Sequence, residues 1–329
     1  MPQTVILCLD LGGTTLSGGL VQPDGRVRLR RALPTFARGR GEAVLEQLVD
    51  MASRLLDAAR QRRLKVAGIG VGVPGVVDIA RGRIRGDIQN VPELEGLALG
   101  PLLRRRYGLP VYLDNDVNAL TLGELYFGRA RGVRNFAMLA AGTGVGGGIV
   151  IDGKLVRGRR GYGGETGHMT VHLEGRPCFC GSIGCIKAYA SGPDIAAQAR
   201  DRLQASQPSR LLDFCSGDPS RLTAQQVFAA ARVGDATALE VVEIAARALG
   251  AGVANLVNLL NPEMVILGGG VLEASDLLLP GIRRWAASYA FADAFKGTRL
   301  VISRFIKRST IKGAAALFLY ETGRPPKSH

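Results

Sequence analysis

The chain has 329 residues, 47% of them apolar and only 5% aromatic, and its 42 lysines and arginines against 28 aspartates and glutamates leave a formal net charge of +14. This composition excludes a disordered or low-complexity chain and supplies enough apolar side chains for two lobes. No apolar run approaches a membrane span, and no basic-then-apolar leader precedes the first strand, so no membrane association is expected and the cytoplasm is the expected location. The positive excess lies in short groups, Arg28/Arg30/Arg31, Arg104/Arg105/Arg106 and Arg157/Arg159/Arg160. They are neither gathered on one helix nor interleaved with aromatics, and they read as a solvated basic surface with no nucleic-acid partner.

In chain order, Val5 to Leu9 reads as a buried strand that ends at Asp10 and a glycine turn. Leu20 and Val21 lead to the hairpin signal Pro23-Asp24-Gly25, with Val27 and Leu29 alternating beyond it. Residues 41 to 63 carry a helical period, and Val66 to Val73 is an apolar strand stopped by Pro74-Gly75. A helix over Pro101 to Tyr107 precedes the strand Val111 to Leu113. A long helix over Ala238 to Leu260 ends at Asn261-Pro262, ahead of the strand Met264 to Leu267. Ser309 to Tyr320 reads as a closing helix. This order predicts sheets covered by helices, hence an α/β fold.

A partial repeat suggests two related lobes. Gly13-Thr14 precedes an apolar segment and Asp24-Gly25, while Gly142-Thr143 precedes Ile149 to Ile151 and Asp152-Gly153. The expected division is residues 1–120 and 121–308, with a closing helix over about 309–322 returning to the first lobe.

Asp10-Leu11-Gly12-Gly13-Thr14-Thr15 sets a carboxylate at a strand end, then backbone that no side chain obstructs, then two hydroxyls. Glycine N–H groups can face phosphate oxygens, and Asp10 is placed to hold Mg²⁺. A tight turn alone would account for the same motif. Gly142-Thr143-Gly144 repeats it after an apolar strand, and Gly268-Gly269-Gly270 follows a third. Neither a Walker lysine motif nor a strand–GxGxxG–helix fingerprint is present, which weakens the P-loop and dinucleotide readings.

Asp114-Asn115-Asp116 follows another strand end. Neighbouring carboxylates resist ionising together, which suits a general base, although an N-cap for a helix over Ala119 to Phe127 is an equal reading. Asn118 and Glu124 read as ordinary helix surface. Three of the five cysteines crowd into Cys178, Cys180 and Cys185, downstream of His168. One imidazole and three thiolates suit a closed tetrahedral zinc site, which cannot activate water and so would brace the loop presenting Glu165 and His168. Cys8 and Cys215 read as small buried hydrophobes.

Taken together, Asp10-Leu11-Gly12-Gly13-Thr14, Gly72-Val73-Pro74-Gly75, Asn115-Asp116, Gly142-Thr143-Gly144, Glu165-Thr166-Gly167-His168 and the cysteine cluster resemble the ROK family (repressor, open reading frame, kinase) nearly end to end. The resemblance implies a two-lobed, actin-like, hexokinase-type ATPase fold. It implies ATP-dependent phosphorylation of a hexose or related sugar, glucokinase-like at C6, with ATP, Mg²⁺ and structural Zn²⁺. Asp116 would be the general base, Asn115, Glu165 and His168 would contact the sugar, His168 also serving the zinc, and Gly268 to Gly270 would border the adenosine. A homodimer is expected from the same likeness.

Two departures stand out. Repressor members carry an N-terminal helix-turn-helix; here the first strand begins within a few residues of Met1, which disfavours that branch. Kinase members have Cys-x-Glu after the last cysteine, the glutamate contacting sugar hydroxyls, whereas this chain has Cys185-Ile186-Lys187. If Lys187 faces the sugar, it replaces an acceptor with a donor and favours an acceptor oxygen or a carboxylate on the substrate. It could alternatively pair with Glu165 or point to solvent. The competing expectation is a sugar-sensing or scaffolding ROK protein with little turnover.

Overall fold

The computed structural model describes residues 3–35, 41–86, 91–204, 209–305 and 310–326. The chain divides into two compact units, one of Met1–Val133, Lys154–Gly163 and Arg308–His329, the other of Arg134–Gly153 and Gly164–Lys307. The first unit thus runs on past residue 120, through the helix Asp116–Phe127.

In the first unit a five-stranded sheet has the spatial order Val27–Pro34, Thr15–Val21, Thr4–Leu11, Lys65–Val73, Val111–Asn115. The first three strands form an antiparallel meander, because both connections are short glycine turns, and the last two run parallel to Thr4–Leu11. At the hairpin the Asp24 carboxylate accepts the Arg26 N–H at 2.9 Å, and Gly25 adopts a φ of 84°. The outer strand Val27–Pro34 is almost wholly exposed and carries Arg28, Arg30 and Arg31, charges that discourage pairing along that edge. Helix Gly41–Gln61 covers one face through Val44, Leu48, Met51 and Leu55, its apolar i, i+4, i+7, i+11 stripe. Helix Thr310–Glu321 packs on the same sheet, with Phe318 edge-on to Tyr112 at 5.6 Å. Ser309, which the sequence places at the start of that helix, lies outside the described residues.

The second unit repeats the plan. Phe136–Ala141 pairs antiparallel with Val145–Ile151 across the Gly142-Thr143-Gly144 turn and parallel with Met264–Gly268, and Arg299–Ile302 runs parallel beyond that. The internal repeat read from the two Gly-Thr turns is therefore a repeated hairpin with a parallel neighbour. Helix Ala236–Leu260 packs its buried face into the core of this unit. Asp235 caps it by accepting the Ala238 N–H at 2.7 Å, and Asn261 ends it in the left-handed region ahead of Pro262. Helices Gly192–Gln204, Ala224–Arg232 and Ser275–Tyr289 and the strand Arg299–Ile302 were not anticipated from the sequence. Among the described residues no helix is long and apolar enough to cross a membrane.

Candidate active site

Three strand ends of the first unit lie side by side, because Asp10 pairs with Gly72 and Gly72 with Asp114 in parallel register. Carboxyl ends of parallel strands are where open α/β sheets bind ligands. Asp10 is only 8% exposed. Burial pushes its carboxyl up to about 6, against the pull of a Thr310 hydrogen bond and the Arg30 guanidinium. The following turn closes by Gly12 N–H to Thr15 C=O at 2.9 Å, and Thr35 Oγ1 donates to the Gly12 carbonyl at 3.0 Å. Thr14 and Thr15 are exposed.

Asn115 caps helix Asp116–Phe127: its Oδ1 accepts from the N–H of Val117 at 2.9 Å and of Asn118 at 3.2 Å, and its Nδ2 donates to the Gly75 carbonyl at 3.1 Å. The cap is thus Asn115, and Asp116 is the first helical residue, half-buried, its carboxylate accepting the Val117 N–H at 2.9 Å. Two expectations are corrected here. Asn118 and Glu124 are not helix surface; both are buried, Asn118 donating to Asp114 at 3.1 Å and Glu124 accepting the Arg129 N–H at 2.6 Å. Nor is Asp114 a bare charge beside Asp116. It is 2% exposed and Arg157 Nε donates to it at 2.8 Å. Arg157, read as one of a solvated arginine group, is largely buried, because its nearby carboxylates come from a strand end and a helix far away in sequence.

In the second unit, Gly142 N–H reaches the Gly144 carbonyl at 2.7 Å, and the Gly192 N–H reaches the Gly142 carbonyl at 2.8 Å. The turn Gly142-Thr143-Gly144 therefore abuts the N-terminus of helix Gly192–Gln204, a favourable neighbour for phosphate. Gly269 has a φ of 83°, and a Cβ there would stand 2.2 Å from the Ala141 carbonyl, so only glycine lets Gly268-Gly269-Gly270 lie against the end of the neighbouring strand Phe136–Ala141. The two glycine turns thus meet at one end of one sheet.

Glu165 and His168 sit on a single turn, His168 N–H donating to the Glu165 carbonyl at 3.1 Å. A Cβ at Gly167 would lie 1.8 Å from the Val145 carbonyl, so the turn rests on the strand that follows Gly144. Beyond it, Ile186 N–H to Met169 C=O at 3.1 Å and Val171 N–H to Gly184 C=O at 2.8 Å clip a short loop that returns Cys185 beside His168.

His168, Cys178, Cys180 and Cys185 put their ligand atoms within 4.8 Å of one another. Cys178 Sγ is 3.6 Å from His168 Nδ1, and Cys180 Sγ is 3.8 Å from Cys185 Sγ. Zn–S bonds of about 2.3 Å and a Zn–N bond of about 2.0–2.1 Å at tetrahedral angles would separate two sulfurs by about 3.8 Å and sulfur from nitrogen by about 3.5–3.6 Å. The four side chains fit a zinc ion. Thiols packed so closely resist ionising together: burial first, then its sulfur neighbours, pushes Cys185 up to about 12.

Lys187 neither points to solvent nor stands free. Its side chain is 12% exposed, its ammonium lies 3.1 Å from the Asp194 carboxylate and 4.8 Å above the Phe179 ring, and that ring meets His168 edge-on. Asp194 is the third residue of helix Gly192–Gln204, and Ser191 caps that helix by accepting the Asp194 N–H and donating to its carboxylate. Ser191-Gly192-Pro193-Asp194 is a legible helix start, so Asp194 had a signal; Arg157 had none beyond its charge.

The ROK family model matches residues 6–321. The glucokinase of Thermotoga maritima is 35% identical over 324 residues, covering 98% of this chain and all of that protein. The xylose repressor of Caldicellulosiruptor bescii is 31% identical over 84% of this chain and 69% of its own length. Among solved structures, the ROK family glucokinase from Streptomyces griseus in complex with glucose and AMPPNP superposes with a TM-score of 0.82 at 30% identity, over 95% of this chain and 98% of that one. The fold is the actin-like, hexokinase-type ATPase fold, and this chain belongs to the ROK family.

Proposed function

We propose that the protein is an ATP-dependent kinase that phosphorylates a hydroxyl of a hexose or related sugar, at C6 for a glucose-like substrate. The observation that carries this reading is the row Asp10, Gly72, Asp114 at parallel strand ends, with Asn115 capping the helix that begins at Asp116. Asp116 accepts the proton of the attacking hydroxyl, whose oxygen bonds to the γ-phosphorus as the bond to ADP breaks. The Gly12-Gly13-Thr14-Thr15 and Gly142-Thr143-Gly144 turns offer N–H and hydroxyl donors to the phosphates, and Gly268-Gly269-Gly270 borders the adenosine. Asn115, Glu165, His168 and Lys187 are the residues assigned to the sugar in this reading.

Asp10 would hold Mg²⁺, directly or through water; when bound, that ion offsets phosphate charge. Zinc on His168, Cys178, Cys180 and Cys185 would fix the Glu165–His168 turn. The similarity to the Thermotoga maritima glucokinase along its whole length supports the kinase reading, as does the likeness to a glucokinase crystallised with glucose and AMPPNP. Cytoplasmic location and a homodimer belong to the same proposal, the dimer testable by light scattering. ATP-dependent phosphorylation across a panel of neutral sugars, amino sugars and sugar acids tests the function; ADP release with none of them would overturn it.

One observation favours a second reading, a sugar-sensing protein with little turnover. Lys187 is locked to Asp194 near the Glu165–His168 turn, and the family includes repressors. Sugar binding by calorimetry without ADP release would select that reading.

A further inference from the structure

The chain leaves the first unit at Val133, returns to it for Lys154–Gly163 and leaves again. What anchors that returning segment is Arg157. Its Nε donates to Asp114 Oδ2 at 2.8 Å and its Nη2 to Glu321 Oε1 at 2.6 Å, with the guanidinium 5.4 Å from the centre of the Tyr320 ring. Tyr320 in turn accepts the Leu155 N–H at 3.1 Å, so helix Thr310–Glu321 grips the segment at two points.

Asp114 spends its other oxygen on the chain just beyond it. Oδ1 accepts the Asn115 N–H at 2.7 Å and the Asn118 Nδ2 at 3.1 Å. Asn115 then caps the helix that Asp116 begins. Every bond from Arg157 to the first turn of that helix is therefore made, and each link is buried or partly so. On its other side, the Arg157 carbonyl accepts the Gly163 N–H at 2.9 Å, closing a turn two residues before Glu165.

We infer that Arg157 is a positioning residue for the Asp116 base: bridged between Asp114 and Glu321, it sets the end of the strand Val111–Asn115 and so the entry of the helix that carries Asp116. The inference rests on the kinase reading above. Arginine is required because one planar fork reaches two carboxylates at once, whereas a lysine presents a single point charge. Asp114 without Arg157 would be a buried carboxylate without its cation, and the residues hung on its other oxygen would shift.

The test uses the full-length protein with ATP, Mg²⁺ and the best sugar from the panel. Arg157→Met should lower kcat about 10- to 100-fold, the loss expected for a base displaced by a fraction of an ångström to an ångström, while the KM for ATP stays within about twofold. Arg157→Lys should recover part of kcat. Glu321→Gln removes the charge of the other partner but keeps an acceptor oxygen for Arg157 and leaves the Asp114 contact, so it should lower kcat less than Arg157→Met does. Should Arg157→Met fail to fold, Asp114→Asn takes its place and should give the same selective loss of kcat. Losses of kcat that merely follow the melting temperature across Arg157→Lys, Glu321→Gln and Asp114→Asn would make Arg157 a structural brace and overturn the inference. Wild-type protein inactive on every sugar would overturn the kinase reading instead, and the positioning role with it.

Discussion

The Lys187 ammonium lies 3.1 Å from the Asp194 carboxylate, so the cation that departs from the family pattern arrives already neutralised. Phe179 takes part of the same charge through its ring face, at 4.8 Å. Lys187 therefore holds its charge against a carboxylate and does not stand as a free cation. If position 187 contacts the sugar as proposed, a lysine there supplies a donor and no acceptor.

A single Lys187→Glu change should accordingly fail to restore neutral-hexose selectivity. It sets two carboxylates together at a partly buried site and should cost about 2–4 kcal/mol of stability. Lys187→Glu with Asp194→Asn removes that repulsion, and the ratio of kcat/KM for glucose to that for the best substrate should rise. If the double variant leaves the ratio at its wild-type value, position 187 does not set selectivity.

Asp116→Asn should lower kcat by about 10²- to 10⁴-fold, the usual cost of losing a general base. The glycine turns do not depend on this carboxylate, so nucleotide affinity measured by calorimetry should hold. A variant with near-normal kcat would remove Asp116 from the mechanism.

Elemental analysis should find about one zinc per chain. Cys180→Ser should lower that content and raise the KM for the sugar before it affects ATP binding, because the clipped loop carrying Cys178 to Cys185 orders the Glu165–His168 turn. Normal kinetics in metal-free protein would dismiss the bracing role.

Asp10 predicts a pH-dependent stability. Its folded-state carboxyl is raised to about 6 from the ordinary 3.8, chiefly by burial. A carboxyl that is easier to protonate when folded contributes stability fully present below pH ~4, lost as pH rises through ~6, and worth about 3 kcal/mol in total. In the absence of Mg²⁺ and nucleotide, Asp10→Asn should therefore stabilise the protein against urea at pH 8 by up to about that amount and much less at pH 4.5, while weakening Mg²⁺-nucleotide binding. Equal effects at both pH values would show that Asp10 ionises normally in the folded chain.

Much of this protein is local enough to be read from its sequence. The strands that run out near Asp10 and just past Leu113, the Asp24-Gly25 hairpin, the Asn261-Pro262 stop and the Cys178–Cys185 spacing are set by backbone preferences, apolar period and ligand chemistry, all of which act within a few residues. The His168, Cys178, Cys180 and Cys185 cluster is the clearest case, since one imidazole and three thiols brought together so closely suit a metal and have few other uses.

Which charges are partnered was decided only by the tertiary structure. Arg157 looked like its neighbours Arg159 and Arg160 until the fold brought Asp114 and Glu321 to it, and Asn118 and Glu124 looked exposed until helix Thr310–Glu321 packed beside theirs. The chemical identity of an ionisable side chain is fixed by the gene, but its burial, its partner and hence its protonation depend on residues far away in the chain, and no local pattern carries that information.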